Sequence, residues 1–371
     1  MVLFGSGETS SSGRKAFDQV MRRLSPAPRV VLLETPAGFE LNSSQVIGRV
    51  AEFIDHRLQN YNPQTQVVPA RKRGTPFSPD DDAIVAPLLD ADLIFMGPGS
   101  PTYAVRQLQD SLAWYYTVAR HRLGAALVLA SAAAIAISLF ALPVYEIYKV
   151  GEDLLWKPGL DFFGAFGLPL IFIPHWNNND GGEELDTSRC FMGQPRFARL
   201  IEMLPADLSI LGIDENTALI MNLHEGTAEV VGSGGVTLIH TGHQHPSTGE
   251  QDLSGTGLDE IARLRKSHVH QYASGETFPL SDCCPVELPE QQAGIPSAVW
   301  ERAKKADLRR KAELESQPDE IPAQVHELVE ERQAARERKD WQTADQLREQ
   351  IAELGWQVMD TPEGPQLESQ D

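Results

Sequence analysis

The chain has 371 residues and a formal net charge of −20, which argues against nucleic-acid binding through bulk charge because phosphate contacts need a basic surface. A hydrophobic content of 42% excludes a fully disordered chain, and the length predicts one large domain with an appendage, or two domains. Three cysteines, two of them adjacent, cannot form a disulfide framework and predict a reducing, cytoplasmic location.

The first half of the sequence alternates short apolar runs with helical patterns. The runs predict strands at 2–4, 29–33, 66–68, 92–96 and 125–130, and the patterns predict helices near 13–24, 43–57, 103–122 and 132–139. Strands that are each followed by a helix imply an α/β fold with a doubly wound, mostly parallel sheet. Such sheets carry active sites at the carboxyl ends of their strands.

One segment has nearly the length of a membrane span. Residues 124–142 carry no charge over nineteen positions. The segment is rich in alanine, contains two serines and lies among strand and helix patterns, so we predict a buried strand followed by a buried helix. The first residues show neither a basic flank nor a long apolar core, so no signal peptide is expected.

The pattern changes after residue 169. One more strand is predicted at 170–173 and a helix at 196–204, followed by short strands that suggest an appended antiparallel meander, at 208–213, 218–221, 228–231 and 236–240. Helical periodicity dominates from about residue 296, with breaks at Gln317-Pro318 and Ile321-Pro322. We therefore expect an α/β domain at 1–290, a charged helical linker at 291–322 and a helical module at 323–371.

A serine lies where a predicted strand meets a predicted helix. In Leu129-Ala130-Ser131-Ala132-Ala133 the strand ends at Ser131 and the helix begins after it. This geometry is that of a nucleophile elbow, in which a tight turn exposes the hydroxyl and the next N–H, on Ala132, points at a developing oxyanion. The alternative is that Ser131 only caps the helix.

Two further strand ends lie at the same predicted edge of the sheet. Gly97-Pro98-Gly99 closes a strand and opens a helix, and free N–H groups at such a turn suit an anion. His175 follows the strand at 170–173, where it could serve a serine nucleophile as general base. A purely structural histidine is the alternative.

These residues resemble the peptidase S51 family, which includes cyanophycinase and the aspartyl dipeptidases. The resemblance covers about residues 1–242 and is carried by the following motifs, in order: Gly5-Ser6-Gly7-Glu8, Gly97-Pro98-Gly99, Ala130-Ser131-Ala132-Ala133-Ala134, Pro174-His175-Trp176 and the segment 211–218. It implies the class I glutamine amidotransferase-like fold and a serine-type peptidase that cleaves peptide or isopeptide bonds at aspartyl residues. It also implies that Ser131 is the nucleophile, His175 the base, and Gly99 and Ala132 the oxyanion donors.

The resemblance leaves the acidic partner of the histidine open. Glu146, fifteen residues after Ser131, lies where the family often has this acid, and Glu215 is the rival or a substrate-site residue. The family's arginines that grip a substrate carboxylate correspond to Arg189, Arg196 or Arg199. Arginine suits that role because its planar guanidinium binds a carboxylate through two hydrogen bonds.

The sequence departs from the family in two places. The usual Gly-x-Ser-Ala-Gly has Leu129 and Ala133 in place of its glycines, so that Leu129 could crowd the oxyanion hole, and residues 177–188 resemble an insertion beside His175. These departures motivate an alternative function, a non-catalytic protein that binds a ligand at the same edge. A peptide or small amide is the expected substrate, and no cofactor is expected.

No metal site is expected either. Five histidines lie in sequence rich in glycine, serine and threonine without regularly spaced acidic ligands, namely His240, His243, His245, His268 and His270. We interpret this region as a solvated loop.

The C-terminal segment has a resemblance of its own, to the end of cysteinyl-tRNA synthetases. It covers about residues 323–367 and is carried by the motifs Glu331-Arg332-Gln333-Ala334-Ala335-Arg336, Lys339-Asp340-Trp341, Ala344-Asp345-Gln346-Leu347-Arg348 and Leu354-Gly355-Trp356. No synthetase catalytic signature is found, so we interpret the segment as a docking or dimerisation module, with a homo-oligomer left open. Contact with tRNA is the alternative, and the 18 Asp and Glu against 11 Lys and Arg in residues 301–371 argue against it.

Overall fold

The computed structural model describes residues 1–241, 268–316, 323–361 and 364–369. His243, His245 and the two predicted helix breaks lie outside the described residues. The chain divides into two compact units, Met1–Leu308 and Arg309–Asp371.

The first unit contains fourteen described strands. They are β1 (Val2–Phe4), β2 (Arg29–Leu33), β3 (Gln64–Val68), β4 (Leu93–Met96), β5 (Ala126–Ala130), β6 (Phe140–Ala141), β7 (Lys157–Pro158), β8 (Leu170–Ile173), β9 (Ser209–Ile213), β10 (Thr217–Asn222), β11 (Thr227–Gly232), β12 (Val236–His240), β13 (His268–Tyr272) and β14 (Thr277–Pro279). Its described helices are α1 (Ser11–Met21), α2 (Ser43–Arg57), α3 (Asp82–Val85), α4 (Pro101–Leu108), α5 (Leu112–Arg122), α6 (Ala132–Ala136), α7 (Ser188–Phe191), α8 (Gly193–Glu202) and the first part of α9 (Ser297–Ser316).

The main sheet has eight strands in the order β14-β11-β10-β1-β5-β4-β2-β3. The five strands from β1 to β3 in this order pair in parallel, and β10, β11 and β14 add antiparallel strands beyond β1. The predicted α/β fold with a mostly parallel central sheet is therefore confirmed. Because β1, β4 and β5 are parallel neighbours, the loops that follow them leave the same edge of the sheet.

Alternate residues of the parallel strands enter two different cores. Phe4, Phe95 and Ala130 pack on one face with apolar side chains of α1 and α2. Leu3 and Leu129 pack on the other face, in a larger cluster that includes α5. Strands buried on both faces read as continuous apolar runs, which explains why the sequence revealed them.

The strands predicted as one meander divide between two sheets. β9 and β12 form a second sheet with β8 and β13, while β10 and β11 extend the main sheet. The turn between β9 and β10 therefore passes from one sheet to the other. Residues 214–216, which form this turn, lie next to the candidate site described below.

The pattern predicted as one helix at 103–122 forms two helices. The chain breaks at Asp110, whose φ is +56°, and Ser111 caps α5 by accepting a hydrogen bond from the Trp114 N–H at 3.1 Å. The uncharged segment 124–142 contains β5, α6 and β6, as a buried strand followed by a buried helix. Among the described helices, none combines the length and the apolar character needed to cross a membrane.

The second unit contains the end of α9, α10 (Ala323–Glu337), α11 (Trp341–Glu353), β15 (Trp356–Thr361) and β16 (Gly364–Ser369). Its small core contains Val325, Ile351 and Trp356. Arg332, which is buried, donates through both terminal nitrogens to the Asp360 carboxylate, each at 2.9 Å. The predicted helical pair is present, and a β-hairpin follows it.

The first part of α9 packs into the core of the first unit. Trp300, Ala303 and Ala306 belong to its main cluster. Asp307 forms an ion pair with Arg120 at 2.7 Å, and both side chains are less than one-tenth exposed. The compact first unit thus extends to Leu308, inside the range predicted as a charged linker.

We expect Asp307→Asn to lower the free energy of unfolding of the first unit by about 3–5 kcal/mol, because it leaves the buried Arg120 charge without its partner. Urea unfolding monitored by circular dichroism would measure this loss. Glu301→Gln is the matched control, since the ion pair that Glu301 forms within the described part of the chain is with the exposed Lys304, and it should change the stability by less than about 1 kcal/mol. Equal effects of the two substitutions would contradict the prediction.

Candidate active site

Ser131 occupies a strained turn between β5 and α6. Its φ is +51° and its ψ −112°, a region that residues other than glycine rarely adopt. The backbone is held by a hydrogen bond from the Ser131 N–H to the Phe4 carbonyl at 3.3 Å, and by two N–H groups of α6 that donate to the Ser131 carbonyl. The hydroxyl makes no capping hydrogen bond to α6 and is available for a different contact.

That contact is with His175, which follows β8 in the second sheet. Ser131 Oγ lies 3.0 Å from His175 Nε2. His175 also has a positive φ, of +51°, and its N–H donates to the Gly5 carbonyl at the end of β1. The imidazole side chain is 19% exposed, so a molecule from solvent can reach the pair.

The other nitrogen of the His175 ring faces Glu215. His175 Nδ1 lies 2.9 Å from Glu215 Oε1, and the Asn178 amide donates to the same oxygen at 2.9 Å. The Glu215 N–H in turn donates to the Asn177 side chain at 2.8 Å. A carboxylate can only accept, so this contact places a proton on Nδ1 and leaves Nε2 free to accept the serine proton.

Glu146 lies elsewhere, contrary to the expectation that it would be the acid beside His175. Its Oε1 accepts hydrogen bonds from the Thr102 hydroxyl at 2.5 Å and from Lys157 at 3.3 Å. Burial works to raise the pKa of Glu146, but these hydrogen bonds hold that pKa below its usual value. The reason for the difference is that Glu146 begins a short helix, Glu146–Val150, whereas Glu215 lies on the turn between β9 and β10.

The two residues expected to supply oxyanion donors lie on adjacent strand ends. Gly99 follows β4 and Ala132 follows β5, and these strands pair in parallel. Gly99 has a φ of +147°, and a Cβ there would lie 2.0 Å from the Pro36 carbonyl oxygen, so only glycine fits. Among the hydrogen bonds of the described residues, none uses the N–H of Ala132 or of Gly99.

Leu129 and Ala133, which stand where the S51 motif has glycines, do not crowd the turn at Ser131. The Leu129 side chain is fully buried in the larger core cluster, and Ala133 is buried in the same cluster. The apolar interior therefore accommodates both side chains.

Two of the three arginines predicted to bind substrate make hydrogen bonds to the main chain, and the third is exposed. Arg189 is buried, stacks on Trp176 at 4.0 Å and donates to the Trp176 carbonyl. Arg196 donates to two main-chain carbonyls at the start of α8, and Arg199 is exposed on the same helix. Burial lowers the pKa of Arg189 to about 10, although nearby carboxylates oppose this.

Several residues around His175 were not predicted as parts of a site. Asn178 lies in the predicted insertion and is almost fully buried. The Phe191 ring centroid lies 6.0 Å from that of His175. Glu8 is close enough for His175 to act on its pKa, which burial raises and the histidine lowers. The signal in the sequence was the run of three asparagines at 177–179, which begins two residues after the histidine.

The α/β body is similar in fold to a solved peptidase. The crystal structure of a peptidase from an acI-B1 Actinobacterium is 21% identical and superimposes with a TM-score of 0.53. The match covers 75% of this chain and 95% of the other. At this identity the likeness concerns the fold.

The C-terminal segment matches the family described as the cysteinyl-tRNA ligase anticodon binding domain, over residues 318–366. It is 49% identical over 53 residues to the cysteine–tRNA ligase of Methanosarcina mazei and 55% identical over 49 residues to that of Methanosarcina acetivorans. These matches cover 14% and 13% of this chain and 11% and 10% of the two ligases. The chain thus spans about a tenth of the length of these curated relatives. The predicted resemblance of the segment is confirmed.

We expect Asn178→Ala to lower the stability of the first unit by about 1–3 kcal/mol, because it removes a buried donor from the Glu215 carboxylate. Thermal or urea unfolding would measure the change. Asn179→Ala is the matched control, since Asn179 is exposed, and it should stay within about 0.5 kcal/mol of the unsubstituted protein. A loss of the same size in both variants would show that the contact does not matter.

Proposed function

We propose that Met1–Leu308 is a serine-type hydrolase that cleaves a peptide or amide bond. Ser131 would be the nucleophile, His175 the general base and Glu215 the acid that orients the imidazole. The proposal rests on the continuous chain of contacts, at 3.0 Å from Ser131 Oγ to His175 Nε2 and at 2.9 Å from His175 Nδ1 to Glu215 Oε1. Such a chain is the arrangement that activates a serine at neutral pH.

In the first step, Ser131 Oγ attacks the carbonyl carbon of the substrate while His175 Nε2 takes the hydroxyl proton. The Glu215 carboxylate stabilises the resulting imidazolium through the Nδ1–H. The negative charge that forms on the substrate oxygen would be stabilised by the N–H groups of Ala132 and Gly99. Among the described residues, no acceptor competes for either of these N–H groups.

In the second step, the imidazolium gives its proton to the leaving amine, and the C–N bond breaks to form an acyl ester on Ser131. Water then attacks the ester, with His175 again acting as base, and the acid product leaves. The 19% exposure of His175 allows this water to enter.

The residues around His175 indicate which kind of substrate side chain fits next to the scissile bond. A cation would favour binding of an aspartyl carboxylate, but Arg189 and Arg196 already donate to main-chain carbonyls, and Arg199 is exposed on α8. Phe191 instead lies beside His175 and packs on Tyr148 with the ring centroids 5.3 Å apart. We therefore propose a peptide or small amide whose side chain next to the scissile bond packs on Phe191.

We expect a fluorophosphonate probe to label the protein and the labelling to be lost in Ser131→Ala, because the probe reacts with an activated serine. His175→Ala and Glu215→Gln should slow labelling by about 10²–10⁴-fold, through loss of the base and of its orientation. Mass spectrometry of the labelled peptide and the labelling rate are the measurements.

Glu146→Gln is the matched control for the acid, since Glu146 contacts Thr102 and Lys157 rather than His175. It should change the labelling rate less than about tenfold, whereas a loss equal to that of Glu215→Gln would reverse the assignment of the acid. Labelling that persists in Ser131→Ala would contradict the assignment of Ser131 as nucleophile, whereas absence of labelling in the folded, unsubstituted protein would favour the non-catalytic binding protein.

A second candidate function belongs to Arg309–Asp371, for which we propose contact with tRNA. Besides the match of residues 318–366, the support is Trp341, which is 57% exposed and lies 5.8 Å below the Arg336 guanidinium. An exposed aromatic ring beside an arginine can stack on an unpaired base. The excess of acidic residues in this unit predicts that the contact is weak and sensitive to salt.

We expect the full chain to retain a cysteine tRNA transcript at low salt and to retain less of it at physiological salt. Trp341→Ala should weaken the binding at low salt by about 1–3 kcal/mol, the contribution that one stacked base usually makes. Filter binding would measure both affinities. Leu354→Ala is the control, since Leu354 is also an exposed apolar side chain of this unit. Absence of retention, or equal loss in both variants, would exclude this function.

A further inference from the structure

A cavity of about 640 Å³ lies at the edge of the main sheet opposite to Ser131. It is lined by Ala125 and Ala126 at the start of β5 and by Met221 near the end of β10. Ser131 follows the other end of β5, so roughly 16 Å of strand separates it from the cavity. The cavity is therefore distinct from the candidate active site.

Most of the cavity wall is apolar. Leu24, Phe166, Ile220 and Leu223 contribute to it, and so does Leu288, which is 57% exposed. The volume lies within the range of pockets that bind small molecules. The wall thus suits the apolar body of a small ligand.

The titratable side chains of the lining are all of the basic type. Arg23, Arg122, His121 and His224 line the cavity, and none of the described lining residues is acidic, although the chain has 52 Asp and Glu. Arg23 is exposed and forms no ion pair with a described residue. A basic, partly apolar concavity in so acidic a chain favours an anion.

Arg122 is a fixed donor in this wall. One terminal nitrogen donates to the carbonyls of Glu290 and Gln291, at 3.3 and 3.1 Å. Its Nε is buried and has no hydrogen-bond partner among the described residues. The contacts with the two carbonyls hold the guanidinium in place, so that its positive charge stays fixed in the cavity wall.

His121 contributes a neutral ring rather than a charge. Its Nδ1 lies 2.8 Å from the Ala125 carbonyl, and its ring packs on Phe162. Burial lowers the pKa of His121 to about 4, so the ring carries no proton on its second nitrogen at neutral pH. The positive charge available to a ligand therefore comes chiefly from Arg23 and Arg122.

We propose that this cavity binds an amphipathic small-molecule anion, such as a medium-chain carboxylate. Its charged head would pair with Arg23 and Arg122, and its apolar chain would pack against Leu24, Phe166 and Leu288. The inference goes beyond the proposed hydrolase activity, because the site lies at the other edge of the sheet and uses none of the residues of the proposed triad.

Isothermal titration of the full chain with decanoate tests the proposal, with 1-decanol as the neutral comparison. We expect saturable binding of one decanoate, and weaker binding of 1-decanol. Arg23→Glu should weaken decanoate binding by about tenfold or more, since it replaces an attraction by a repulsion. Arg22→Glu is the matched control, because Arg22 points to the Tyr61 hydroxyl and is not part of the lining, and it should change the affinity less than about twofold.

Asn222→Asp gives a second variant that is expected to fold. Asn222 lines the cavity, and its side-chain oxygen accepts the N–H groups of His224 and Glu225, which a carboxylate also accepts. The added negative charge should weaken decanoate binding, while Ser131→Ala should leave it unchanged. Absence of binding, equal effects of Arg22→Glu and Arg23→Glu, or loss of binding in Ser131→Ala would overturn the proposal.

Discussion

The candidate active site depends on the close approach of three chain segments at Gly5, the residue after β1. The Gly5 N–H donates to the Thr217 carbonyl at 2.9 Å, and its own carbonyl accepts the His175 N–H at 3.1 Å. A Cβ on Gly5 would lie 2.1 Å from the Asp214 carbonyl oxygen, so any larger residue would push these segments apart. Since β1 also pairs with β5, which leads to Ser131, one glycine ties the histidine loop and the turn that bears Glu215 to the serine.

The geometry of the site is maintained against backbone strain. Ser131 and His175 both have a φ of +51°, a conformation that costs roughly 1–3 kcal/mol at a residue other than glycine. The flanking strands β5 and β8 are almost entirely buried, and their packing supplies the free energy that holds the two turns. The strain places the Ser131 hydroxyl on His175 rather than on the N-terminus of α6, which distinguishes this serine from an ordinary helix cap.

The sequence revealed those parts of the fold that depend on local pattern. The buried parallel strands appear as apolar runs, and Ser131 and His175 could be placed because each directly follows such a run. The acid could not be chosen, because Glu146 was a candidate through its spacing from Ser131 and Glu215 through its place in the segment 211–218. Only the tertiary structure decides which one meets the histidine. The division of β9 to β12 between two sheets likewise depends on tertiary structure, since β9, β10 and β12 are buried at almost every residue and nothing in such runs indicates which sheet each one joins. The role of Asn178 depends on a loop conformation for which the sequence has no periodic signal.

Several arginines of this acidic chain stabilise the fold and are not free to bind a ligand. Arg120 and Arg332 are buried against single carboxylates, while Arg189 and Arg196 satisfy main-chain carbonyls. In these positions arginine acts as a structural donor, because its planar group makes several hydrogen bonds at once. A basic side chain near the serine is therefore poor evidence for an acidic substrate in this protein. The net charge of −20 describes the chain as a whole and no single site. The basic side chains that line one cavity without an acidic neighbour are therefore better evidence for an anionic ligand than the net charge is evidence against one.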